Sequence, residues 1–94
     1  MSSFDYQADW DTTALLHRIN PARNEFRFYH VRIGPTLLDK YAVIRVWGRI
    51  GGQQRTMINP CQTDAEARIL VDRLIRRRLK RGYTLVRDKR SGDE

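Results

Sequence analysis

Apolar and polar side chains alternate along most of the first 58 residues, and a helical spacing replaces that alternation after Gln62. Residues 14–19, Ala-Leu-Leu-His-Arg-Ile, are apolar and partly alternating, and Asn20-Pro21-Ala22-Arg23-Asn24 supplies turn residues, which together predict a first strand and its turn. In residues 25–34, Phe26, Phe28, His30 and Arg32 alternate with Arg27, Tyr29, Val31 and Ile33. That period of two, rich in aromatic and β-branched residues, predicts a second strand. Gly34-Pro35-Thr36 ends it, because proline has no N–H with which to continue a ladder. Across residues 41–50, Ala42, Ile44, Val46 and Ile50 fall on one face and Tyr41, Val43, Arg45, Trp47 and Arg49 on the other. Gly51-Gly52 suits a tight hairpin, so residues 53–58 are expected to return antiparallel, with Asn59-Pro60-Cys61-Gln62 breaking the strand.

Thr63-Asp64-Ala65-Glu66 has the form of a capping box, in which the threonine and glutamate side chains satisfy amides at a helix start. The helix is expected to reach about Arg81, with Gly82 as its left-handed terminator. Ala67, Leu70, Val71, Leu74 and Ile75 form one stripe for packing on the sheet. The opposite side carries Arg68, Asp72, Arg73, Arg76, Arg77 and Lys80, with Arg68, Asp72 and Arg76 spaced for mutual support. Arg78 falls on the apolar stripe and is expected to reach past the sheet edge, and residues 83–86 predict a short closing strand. The fold class is therefore α+β: an antiparallel sheet of four to five strands with one long helix packed across it. The chain divides into an acidic N-terminal arm (1–12), a folded domain (13–86) and a charged C-terminal tail (87–94).

Charge changes the picture more than length does. A chain of 94 residues suits one hydrophobic core, whereas a formal charge of +7 and a pI near 10.3 describe a field that attracts polyanions. The arm, with Asp5, Asp9 and Asp11 among Phe4, Tyr6 and Trp10, is −3, leaving +10 on the other 82 residues. It reads either as a frayed terminus with an aromatic or two tucked into the core, or as a segment lying on the protein's own basic face. Of 18 basic residues, 15 are arginine, which favours planar forked donors able to grip phosphate, although genome composition yields the same bias. A lone Cys61 cannot form an internal disulfide, and His17 and His30 stand apart from any metal-ligand spacing. Those features predict a reducing, cytoplasmic setting, no metal, no cofactor and no enzyme. With neither a basic leader nor a long apolar run, no membrane association is expected.

The most informative stretch is Trp47-Gly48-Arg49. Residues two apart in a strand point the same way, so Trp47 and Arg49 should share a surface with Arg45, while Gly48 is expected to leave the backbone open. An indole can stack on a base or sugar while a guanidinium reaches phosphate. Equally, Trp47 could be a large core residue beneath Val43. Together with Arg27-Phe28-Tyr29, the run Val46-Trp47-Gly48-Arg49-Ile50-Gly51 and the helix end Lys80-Arg81-Gly82-Tyr83, this stretch resembles the WGR domain over roughly residues 14–86. That module occurs beside the catalytic domain of poly(ADP-ribose) polymerases and in small stand-alone bacterial proteins. The resemblance implies a helix lying across an antiparallel sheet, and a grip on the end of a DNA strand by the motif residues Trp47 and Arg49. No stretch after the helix is expected to supply a transferase.

The expected function is thus a non-catalytic nucleic-acid-binding module, DNA favoured, with Trp47 stacking and Arg45, Arg49 and Arg55 facing phosphate. Arg73, Arg76, Arg77, Arg78, Lys80 and Arg81 on the C-terminal half of the helix form a second candidate surface, which reads rather more readily as a solvated face favoured by the helix dipole. The alternative function is a protein-interaction adaptor whose same Trp-Gly-Arg face docks an acidic partner.

Overall fold

The computed structural model describes residues 13–90; the acidic arm and the last four residues of the tail lie outside them. Five strands and one helix follow in the order β1 (Ala14–Asn20), β2 (Glu25–Gly34), β3 (Tyr41–Arg49), β4 (Gln54–Cys61), α1 (Asp64–Lys80) and β5 (Thr84–Asp88). The sheet is antiparallel throughout with strand order β4-β3-β2-β1-β5, so the chain meanders outward to β4 and returns over α1 to the far edge. A short 3-10 turn, Pro21–Arg23, joins β1 to β2 and closes on Asn24, whose φ of 55° is left-handed.

One face of the sheet receives the helix. Ala14 and Leu16 of β1, Tyr29 and Val31 of β2 and Val43 of β3 meet Ala67, Val71, Leu74 and Ile75, all buried, with Tyr83 closing the end and Leu70 partly buried beside them. Burying such side chains stabilises by about 1.5–3 kcal/mol each, which makes this face the principal source of stability. The other face carries a smaller buried cluster of Leu15, Phe28 and Val46 with Ile50 against it, as the alternation of β3 requires.

Both helix ends are built as the sequence predicts. The Glu66 N–H donates to Thr63 Oγ1 at 3.0 Å, while the Glu66 carboxylate reaches the N–H of Gln62, one residue before the cap, at 2.6 Å. At the other end Gly82, at φ 91°, donates to the Leu79 carbonyl and Tyr83 donates to the Arg78 carbonyl, the paired bonds of a Schellman closure.

Several expectations are corrected. β4 continues through Pro60 to Cys61, because it is an edge strand, where a missing N–H leaves no ladder bond unmade. Arg68 pairs with Asp64 rather than Asp72, and Asp72 accepts from Arg90. The closing strand takes in Arg87 and Asp88, which pair with Leu15 and Ala14.

Candidate nucleic-acid interface

Beyond the C-terminal end of α1 the sheet is uncovered, and its register sets basic side chains there in rows. On the helix-bearing face Arg18 lies opposite Arg27, and Arg27 opposite Arg49, so three arginines occupy one row across β1, β2 and β3. One row further in, Tyr29 lies opposite Trp47, and Trp47 opposite Arg55. Like charges directly opposite one another destabilise a sheet. The carboxylate near this row is Glu25, 3.7 Å from Arg18.

Arg27, Arg49, Trp47 and Arg55 of these rows line a concave groove of ≈ 980 Å³, walled also by Arg23, Glu25 and Arg78 with Asn24, Gln53, Gln54 and Tyr83. Trp47 is half-buried: its ring packs on the core cluster, 6.3 Å centre to centre from Tyr29, and also borders the groove. The core reading and the surface reading of this residue therefore each hold for part of the ring.

Arg45 sits with its guanidinium carbon 5.7 Å from the Trp47 ring centre, and donates to Asn59 Oδ1 at 3.0 Å and to the Met57 sulfur. It flanks the indole rather than lining the groove. Arg49 lies 5.3 Å from the Phe26 ring centre and directs two N–H groups at Asn24, to the backbone oxygen at 2.9 Å and to Oδ1 at 3.1 Å.

The glycine between them does not leave the backbone open, contrary to expectation. A Cβ on Gly48, at φ 156°, would stand 2.2 Å from the Gln53 carbonyl oxygen and 2.8 Å from the Gln54 Cα. The adjoining end of β4 occupies that space, and the close approach carries Gln53 and Gln54 to the groove wall.

Of the residues singled out in the sequence, Trp47, Arg49 and Arg55 come together in the groove and Arg45 borders it. Arg73, Arg76, Arg77 and Lys80 lie elsewhere, lining a shallow depression with Ile69 and Asp72 on the outward side of α1. Sequence reasoning missed Arg23, Arg27, Gln53 and Gln54 as groove residues. Arg27 was accessible in principle, since aligning β2 against β3 puts it beside the motif arginine; Arg23 depends on a turn whose direction no periodicity encodes.

No group of His, Cys, Asp or Glu among the described residues could hold a metal ion. Burial, then the charge of Glu66, pushes the Cys61 thiol up, which keeps it protonated and a poor nucleophile. Among the described residues no helix is long and apolar enough to cross a membrane.

A Trp-Gly-Arg strand end is fixed against its neighbouring strand and opens on an arginine-lined groove. The chain belongs to the WGR domain family, whose pattern matches residues 12–90. Among its relatives is the uncharacterized protein y4dW of Sinorhizobium fredii, 36% identical over 69 residues. That match takes in 72% of this chain and 33% of the relative, so the chain spans about a third of the relative's length. No solved structure matches it.

Proposed function

We propose that this chain is a non-catalytic nucleic-acid-binding module, for DNA ends or single strands, in which Trp47 stacks on a base or sugar while arginines beside it neutralise phosphates. The observation that carries the reading is the groove itself, where a half-open indole stands among five arginines, Arg23, Arg27, Arg49, Arg55 and Arg78, with Glu25 as the one acidic lining residue. Stacking tolerates any base, and forked guanidiniums suit phosphate. On this reading Arg55, directly across the ladder from Trp47, takes the phosphate next to a stacked nucleotide, and Arg45 flanks the indole. Arg73, Arg76, Arg77 and Lys80 act at longer range, by drawing a polyanion toward the domain.

Fluorescence anisotropy with labelled blunt, 5′-phosphorylated and single-stranded oligonucleotides, at two salt concentrations, tests this. Trp47→Ala should weaken binding by about tenfold or more, since stacking contributes roughly 1–3 kcal/mol per base. The logarithm of affinity should fall with the logarithm of salt by ~0.7–0.9 per phosphate neutralised. A flat salt response, or equal affinity in wild type and Trp47→Ala, overturns the reading. Capture of a specific acidic protein without oligonucleotide affinity would favour an adaptor on the same face.

A further inference from the structure

The groove arginines are not equivalent in what their guanidiniums already hold. Arg49, the arginine of the motif, has both terminal nitrogens on Asn24, so its bidentate fork is closed on a protein amide. Asn24 ends the turn that carries Arg23, and its own N–H donates to the Pro21 carbonyl at 3.0 Å. Arg49 therefore ties the end of β3 to the β1–β2 turn and fixes where Arg23 meets the groove.

Arg78 is the contrasting case. Its guanidinium carbon lies 4.2 Å from the Tyr29 ring centre and 5.5 Å from that of Tyr83. Among the described residues it has no ion pair and no side-chain hydrogen bond. Its backbone is fixed as well, because its carbonyl accepts from Arg81 and Tyr83 at the helix closure. Aromatic rings attract a guanidinium through their π faces, so the two tyrosines hold this one in place while no other described side chain takes its N–H groups.

We infer a division of labour, resting on the nucleic-acid reading above: Arg78, cradled by Tyr29 and Tyr83, contacts the phosphate, whereas Arg49 is a positioning residue acting through Asn24. Arg78 comes from α1 and Trp47 from β3, so the ligand is held between the helix end and the sheet. A phosphate oxygen pair would accept two parallel N–H bonds from Arg78 without any protein contact having to break. The same engagement through the two terminal nitrogens of Arg49 would first require release of Asn24.

The salt slope separates the two roles, because it counts phosphates neutralised and ignores how well a turn is held. With a 5′-phosphorylated oligonucleotide, Arg78→Ala should weaken binding roughly tenfold and reduce the slope by ~0.7–0.9. Arg49→Lys, which keeps the charge but cannot fork, should weaken binding with the slope unchanged. Its effect should shrink in an Asn24→Gly background, where the left-handed turn and the backbone acceptor are retained and only the side-chain acceptor is gone. An unchanged slope in Arg78→Ala, or full affinity in Arg49→Lys, overturns the assignment; urea midpoints show that each variant is folded. If wild type fails to bind oligonucleotide, the parent reading falls. Inorganic pyrophosphate then still decides the assignment, through side-chain nitrogen resonances that should shift for Arg78 and stay fixed for Arg49.

Discussion

At position 48 there is room for a hydrogen and nothing larger, since the Gln53 carbonyl stands where a methyl group would go. The middle residue of the motif is thus set by packing between β3 and β4, and the residues on either side of it by what they touch. Gly48→Ala should lower stability by about 2 kcal/mol or more, read as a drop in urea midpoint. His17 offers a second test at this scale. Its Nε2 is buried without a hydrogen-bond partner, and burial lowers its pKa below the ordinary 6.5. The unfolded chain therefore takes up a proton that the folded chain resists. This contribution to stability is fully present above pH 6.5 and is lost as pH falls toward the lowered folded value. The melting temperature should drop between pH 7.5 and pH 5.5, and the drop should be smaller in His17→Phe.

The helix was legible in the sequence because its signals are local: Thr63 and Glu66 lie three residues apart, and Gly82 directly follows its last turn. Its closure gives a comparison with the motif glycine. A Cβ on Gly82 would find Arg18 Nε at a comfortable 3.6 Å, so only its φ of 91° opposes substitution. Gly82→Ala should cost about 1 kcal/mol, less than Gly48→Ala, when both are measured by urea unfolding. The alternation of β2 and β3 was equally readable, because each strand buries both faces in different degree. The last residues of β4 are not legible, because Pro60 signals a break unless the strand is an edge, a property of pairing order rather than of composition. Half of the groove escaped for the same reason. Arg27 faces Arg49 only through the register of two strands, and Arg78 meets Tyr29 only through the crossing of α1 over β2.

At the scale of the molecule, two basic surfaces among the described residues differ in chemistry. The groove combines arginines with aromatic surface, whereas the outward helix face combines them with Asp72 and Ile69 in the open. Solvent-exposed charges act over about 8–10 Å at ordinary salt. Reversing Arg73, Arg76 and Arg77 to glutamate should therefore slow association at low salt and have little effect at high salt, in stopped-flow measurements. Alanine replacements inside the groove should instead persist in dissociation rates at both salt concentrations.

The file of arginines across β1, β2 and β3 has a consequence for the empty protein as well. Backbone pairing holds Arg18, Arg27 and Arg49 on neighbouring strands whether or not an anion is present, with Glu25 beside Arg18 as partial compensation. An anion that settles there adds to that compensation, and by mass action it stabilises the folded chain as it binds.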